Sequence, residues 1–332
     1  MPSENCINTV LVCDDSYAQH ATVMLRSMLA SNKKSFFKIF CLVPEDFGNT
    51  KNMEESIRDL SEDYLNFIYV DPSDFISAKL SGHVSSAVYY RLRLDAFLPL
   101  DVTRAIYLDC DIIVKDDLSS LWTLDLDGHA VGAAVDDFLN KNQLVRSRVG
   151  LSPATYYLNS GVMLIDINKW KEKKIGTRAL EFCLAHPEQI TYWDQCALNH
   201  VINGDFKVLE RRWNFQSSMM IDGGAWRCTP ELLGQLNAAA IIHFAGVIKP
   251  WHYRCLHPAK DLYWTYLRET AWHDYRVPDR TIINRIKNGL DRYVPFVGVI
   301  YRWVTRRVAA THRRLSSVGS LLRRATRATG LI

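Results

Sequence analysis

The chain is short of the features that would place it in several large protein classes. It has eight cysteines but no Cys-x-x-Cys pair, so neither a zinc ribbon nor a disulfide framework organises it. Cys13, Cys41 and Cys110 sit inside apolar, strand-like runs, where a reduced thiol acts as a small hydrophobe. No apolar run reaches the roughly 18 residues that a bilayer span requires; the longest candidate, VPFVGVI at 294–300, meets Tyr301 and Arg302 at once. The amino terminus, MPSENCINTV, carries no basic stretch ahead of an apolar one, so no signal peptide is expected and a cytoplasmic location follows. Internal repeats are missing, and so is any low-complexity linker before residue 275.

What is present is an apolar-rich chain of 332 residues, 48% hydrophobic, long enough for one large core or two modest ones. The net charge of +4 conceals a split. Residues 281–332 hold 11 Lys or Arg against Asp291 alone, so the first 280 residues carry a net −6. Strand-like runs at 8–13, 36–43, 64–70, 105–114, 130–135, 157–165, 206–210 and 238–245 alternate with helix-like stretches such as 20–30 and 52–60. That alternation predicts an α/β fold with a largely parallel sheet. The expected organisation is one domain over 1–275 and a basic amphipathic tail over 276–332.

One stretch breaks the apolar pattern. YLDCDIIV at 107–114 sets Asp109 and Asp111 inside a buried strand. An ionised carboxylate out of water costs several kcal/mol or more unless a cation or hydrogen bonds serve it. Residues i and i+2 of a strand share a face, so the two carboxylates form a two-pronged oxygen donor with Cys110 pointing away. An ordinary Asp-x-Asp closes a turn, and Asp125-Leu-Asp127, ahead of Gly128, is read that way. Ligands of open α/β sheets bind beyond the carboxyl ends of strands, and the first strand ends in Asp14-Asp15-Ser16-Tyr17. Helix capping is the alternative use of those two acids.

Six stretches in order, VCDDSYAQH (12–20), VYYRLRL (88–94), YLDCDIIV (107–114), YLNSGVMLID (157–166), YWDQCALN (192–199) and HFAGVIKPWH (243–252), resemble the motif set of the family 8 glycosyltransferases. The nearest likeness is to the bacterial lipopolysaccharide galactosyl- and glucosyltransferases, with glycogenin more distant. The resemblance spans about residues 8–275. It implies a GT-A fold, a Rossmann-like mixed sheet with helices on both faces, and a retaining transferase that uses a UDP-sugar and a divalent metal.

Carried over position by position, the resemblance assigns metal ligation to Asp109, Asp111 and His243; a carboxylate pair with one imidazole suits Mn²⁺ or Mg²⁺ better than zinc. It assigns the nucleotide to Val12, Asp14, Tyr17, Gly246 and Lys249. Ser16 stands where close relatives often carry Asn. The sugar is assigned to Arg91, Asp109, Asn159, Asp194 and Gln195, of which Arg91, Asn159, Asp194 and Gln195 are the catalytic candidates. A covalent route needs a carboxylate under the sugar; the residue that the resemblance places nearest that face is Gln195, an amide, so front-face transfer is expected, with Asp194 the reserve nucleophile. The expected donor is UDP-galactose or UDP-glucose and the acceptor a saccharide or lipid-linked saccharide of a bacterial surface glycan. The tail is expected to dock on anionic lipid at the inner face of the cytoplasmic membrane.

Two rivals fit less well. A sugar nucleotidylyltransferase relies on a glycine-rich loop after its first strand, where this chain has CDDSYAQH. A nucleic-acid binder would use the basic tail, but the tail holds no reader module and the acidic body repels phosphates, so no nucleic-acid partner is expected.

Overall fold

A computed structural model describes residues 6–60, 65–75, 85–222, 225–277 and 279–293. The chain divides into two compact units. The larger comprises 1–220, 228–251 and 255–276; the smaller comprises 221–227, 252–254 and 277–332.

The larger unit is built on a seven-stranded sheet. Its strands are β1 (Cys6–Val12), β2 (Phe36–Pro44), β3 (Leu65–Val70), β4 (Arg104–Leu108), β6 (Val131–Val135), β7 (Leu158–Asp166) and β8 (Lys207–Val208), in the order β3-β2-β1-β4-β7-β6-β8. The β3-β2-β1-β4 half is parallel, as the alternation of strands and helices predicts. β7 runs antiparallel to both β4 and β6, so the sheet is mixed.

Both faces are covered. Val10, Val12, Phe40, Leu42, Tyr107, Met163 and Ile165 pack with Ala179, Leu180, Ala197 and Leu198 from the helices Ile175–Ala185 and Trp193–Ile202. The intervening residues Leu11, Ile39, Cys41, Ile106, Leu108 and Leu164 pack on the opposite side with Ala21, Met24, Leu25 and Met28 from the helix Ala18–Ser31. This strict alternation is the period of two that a doubly covered strand imposes.

The run at 105–114 departs from the expected single strand. β4 ends at Leu108, and Ile112–Val114 forms β5 in a separate three-stranded sheet whose central strand, β12 (Ile241–His243), lies between β5 and β9 (Phe215–Gln216). Asp109-Cys110-Asp111 is the corner where the chain leaves one sheet for the other. The cause is polar: a buried carboxylate cannot remain between two apolar layers. The strand expected at 206–210 also shrinks, to the two residues of β8. Asp125 closes its turn as expected, accepting from Asp127 N, with Asp127 and Gly128 both at positive φ.

In the smaller unit β10 (Ile221–Asp222) pairs antiparallel with β11 (Ala225–Trp226). A helix follows at Ile282–Tyr293, with Ile282, Ile283 and Ile286 exposed. The remaining tail positions read from sequence, 294–332, lie outside the described residues.

Gly176 lies where the helix Ile175–Ala185 touches the segment Ser86–Arg93; a Cβ there would stand 1.6 Å from Leu92 O and 2.9 Å from Trp170 Nε1. Gly234, in the helix Pro230–Ala238, has open space around it. Gly176→Ala is therefore expected to cost ~3 kcal/mol through backbone overpacking, while Gly234→Ala gains up to ~1 kcal/mol of helix propensity. Thermal melts of the two variants check this; equal melting temperatures would contradict it.

Candidate active site

The corner residues come together with residues far away in sequence. β5 pairs antiparallel with β12 so that Ile112 faces His243, and Phe244 N donates to Asp111 O at 2.9 Å. His243 Nε2 lies 3.3 Å from Asp111 Oδ1 and 3.8 Å from Asp109 Oδ2. One ligand atom from each of Asp109, Asp111 and His243 falls within 4.8 Å of the others, the one such cluster among the described residues. From β7, Gly161 O accepts from Asp109 N at 2.8 Å. A Cβ on Gly161 would come within 2.3 Å of His243 Cε1 and 2.7 Å of Asp109 Oδ2, so glycine keeps the space between the donors clear. Two hard carboxylates and one imidazole around cleared space fit a Mn²⁺- or Mg²⁺-type ion.

Cations already serve both acids. Lys249 Nζ pairs with Asp111 Oδ2 and donates to Phe244 O. Burial, the largest influence on Asp111, favours its neutral acid, but the Lys249 ammonium beside it helps to outweigh that and hold the carboxyl far below the usual range. Arg91, carried in by the 3₁₀ segment Ser86–Arg93, lies 2.9 Å from Asp109 Oδ1 through Nη1 and 3.0 Å from Asp194 Oδ2 through Nε, over the ring of Tyr107. Burial opposes its charge, and the two aspartates more than restore it.

Asn159 and Gln195 meet through a residue that sequence reasoning missed. Asp136 Oδ2 accepts from Asn159 Nδ2 at 3.0 Å and from Gln195 Nε2 at 3.2 Å, and Gln195 Oε1 accepts from Ser160 N at 3.0 Å. Asn214, also missed, donates to Asn159 Oδ1 at 2.8 Å and meets His243 Nδ1 at 3.0 Å. Asp136 follows β6 as Asp14 follows β1, and an acid just past a strand end was the available signal. Asn214 gave none.

At the end of β1 the residues are tied in differently. The Cys110 thiol donates to Val12 O at 3.1 Å. Burial first, then the charge of Asp111, raises the Tyr17 phenol, whose ring meets Trp251 edge-on at 6.0 Å. Trp251 in turn stacks on His20 at 3.4 Å, which pins the segment carrying Lys249. Gly246 takes φ +102°, a conformation that favours glycine. Asp14 Oδ1 accepts from Ser16 Oγ and Tyr17 N, so it closes the turn before the helix Ala18–Ser31, while Asp15 binds Gly48 N and Asn49 Nδ2.

The profile of Glycosyl transferase family 8 matches residues 8–255. The chain belongs to that family. It is 31% identical over 287 residues to General stress protein A of Bacillus subtilis, covering 82% of this chain and 97% of that one. It is 26% identical over 278 residues to the lipopolysaccharide 1,2-glucosyltransferase of Escherichia coli, covering 82% and 80%. The crystal structure of galactosyltransferase LgtC in complex with donor and acceptor sugar analogs superposes with a TM-score of 0.70 at 26% identity, over 80% of this chain and 96% of that one. This family 8 glycosyltransferase thus has the GT-A fold expected from its motifs, and as a glycosyltransferase it takes a sugar donor and a saccharide acceptor.

Asp194 is the buried end of the Arg91 pair. One guanidinium serves two carboxylates, and Asp194, 2% exposed, bears the larger desolvation. Burial, with Asp109 adding and Arg91 opposing, pushes its carboxyl up to about 7. The folded protein therefore keeps a proton that the unfolded chain releases near pH ~4, and this group's contribution to stability is full at acid pH and is lost as pH rises through about 7. Asp194→Asn removes the titration, so its stability relative to wild type is expected to improve as pH rises across that window, by at most about 1.4 kcal/mol per pH unit. Denaturant titrations at about pH 5 and pH 8 measure the difference, and parallel pH dependences would contradict it.

Proposed function

We propose that the enzyme transfers galactose or glucose from a UDP-sugar to a saccharide acceptor with retention at the anomeric carbon, in the synthesis of bacterial lipopolysaccharide or a related surface glycan. The observation that carries this reading is the convergence of Asp109, Asp111 and His243 beside Arg91, Asn159, Asp194 and Gln195. The likeness to the Escherichia coli lipopolysaccharide glucosyltransferase and to LgtC supports the hexose and the glycan.

Asp109, Asp111 and His243 would hold the divalent ion, Mn²⁺ or Mg²⁺, which when bound neutralises the diphosphate of the departing nucleotide. Lys249 adds a cation to that diphosphate from the turn opened by Gly246. Tyr17 stacks on the base, and Asp14 accepts the uracil N3 hydrogen beside Val12. Arg91, Asn159 and Asp109 orient the sugar hydroxyls. Gln195, held at both ends of its amide by Ser160 and Asp136, presents a fixed dipole to the positive charge that develops at the anomeric carbon. Burial of Asp194 behind Arg91 leaves it poorly placed for attack, which favours front-face transfer with the acceptor's proton passing to the departing phosphate.

Asp109→Ala and Asp111→Ala are each expected to lower transfer by at least about a hundredfold without loss of folding, and EDTA to silence the wild type until Mn²⁺ is restored. UDP release measured over a panel of UDP-sugars, with GDP-mannose as control, tests the donor. Full activity in the metal-stripped enzyme, or a preference for GDP-mannose, would refute the reading.

We assign residues 1–275 to the transferase domain and 276–332 to membrane attachment on the cytoplasmic side. No helix among the described residues is long and apolar enough to cross a membrane. Ile282, Ile283 and Ile286 are exposed on a helix that also carries Arg285 and Lys287, an amphipathic composition that suits a lipid interface. Phe296, Tyr301, Trp303 and a series of arginines follow in sequence, and each basic residue near anionic lipid contributes on the order of 1 kcal/mol. Full-length protein is expected to float with vesicles containing anionic lipid and to be released by high salt, whereas a chain ending at Asp279 stays behind and still hydrolyses donor. Equal flotation of the two would remove the assignment.

A further inference from the structure

A chain of side-chain hydrogen bonds with a forced direction ends on His243. Asp136 presents only acceptors, so the group of Asn159 that faces Asp136 Oδ2 at 3.0 Å must be its Nδ2. The other end of Asn159 is fixed independently, because Gly161 N, a donor, lies 3.0 Å from it and requires Oδ1 there. Asn214 therefore turns Nδ2 toward Asn159 Oδ1, at 2.8 Å, and its own Oδ1 toward His243 Nδ1, at 3.0 Å. An oxygen that can only accept requires a hydrogen on Nδ1. Asn159, Asn214 and His243 are all nearly inaccessible to solvent, so water offers no ready substitute for any link.

We propose that Asn214, oriented through Asn159 by Asp136, is a positioning residue that holds neutral His243 in the Nδ1–H form and leaves Nε2 bare toward Asp109 and Asp111. The Nε2–H form predominates in free imidazole side chains, and here the two carboxylates at 3.3 and 3.8 Å would reward it with an acceptor. The relay acts against both preferences. Partners of this kind typically change metal affinity 10–100-fold, to order of magnitude, when removed. The consequence for a metal rests on the ion-binding reading above; the tautomer itself does not.

The test uses the full chain with ¹⁵N-labelled imidazoles, free of metal, at a pH where His243 is neutral, its signals identified by their absence in His243→Gln. The expected wild-type spectrum has a protonated Nδ1 and an unprotonated Nε2. Asn214→Leu, which removes the acceptor, is expected to move the proton to Nε2 and to weaken Mn²⁺ binding, followed by the paramagnetic resonance of free Mn²⁺, by about 10–100-fold. Asn214→Asp keeps the acceptor toward Nδ1 while losing the donor to Asn159 Oδ1, and is expected to keep the Nδ1–H signature; thermal melts confirm that both variants fold. Should Asn214→Leu fail to fold, Asn214→Ala and the wild-type spectrum carry the same decision. A wild-type Nε2–H tautomer, or one that stays Nδ1–H in both Asn214→Leu and Asn214→Ala, overturns the proposal. If instead the tautomer follows Asn214 as described while wild type binds no Mn²⁺, the relay stands and the metal reading falls.

Discussion

Two carboxylates one residue apart at a corner between two sheets set the terms for everything around them. Neither Asp109 nor Asp111 can be left as an isolated ion in an apolar surrounding, since the desolvation cost of a single unpaired charge is comparable to a large part of a domain's net stability. Each therefore has its own cation from a different part of the chain: Arg91 from the segment before β4 and Lys249 from the turn after β12. The fold can be understood as the scaffolding that brings those cations and His243 to one corner.

The chemistry of the corner is separated by side. Cys110, between the two acids, turns its thiol to the Val12 carbonyl and joins the apolar cluster with Cys13 and Cys41. The Cys13 thiol and then burial raise Cys110; on Cys13 the Cys110 thiol acts the other way, but Cys41 and burial outweigh it, so both thiols stay protonated. A polar residue there would need a partner that the apolar cluster does not offer, so the thiol serves as a small apolar filler behind a charged front. The same division explains Gly161. Its backbone is needed to receive Asp109 N, while a side chain would enter the space between Asp109 and His243.

Much of this was legible in the residues and some was not, for physical reasons. Asp109 and Asp111 stand out because acids inside an apolar run violate the cost of burial. The parallel half of the sheet follows from alternating strands and helices. The break of 105–114 into β4 and β5 did not stand out, because a run that is apolar throughout has no period to mark where one sheet ends and another begins. Arg91, Asn159 and Gln195 were reached through resemblance; taken singly, an arginine on a helix or an amide past a strand carries no signature. Asp136 and Asn214 were not reached at all. Their meaning lies in contacts across 23 and 29 residues of chain with Asn159 and His243, and an asparagine after a tryptophan has the composition of any turn.

The charge arrangement bears on how such a site accommodates a nucleotide sugar. Asp109, Asp111 and Asp136 face one region with Asp194, whose buried carboxyl is partly ionised near neutrality. The cations drawn into the same region, Arg91 and Lys249, are already engaged by those acids. The side chains together give no positive excess, and a diphosphate would add further negative charge to a poorly solvated pocket, where like charges repel strongly. Lys249 can turn to a phosphate only by leaving Asp111, which then needs another cation. Both demands would be met at once if positive charge arrived with the donor, and the divalent ion that Asp109, Asp111 and His243 would hold is a cation of that kind. The negative corner is thus an argument for the metal that does not depend on resemblance: without an added cation, the acids that hold the site together would also repel the substrate it is proposed to bind.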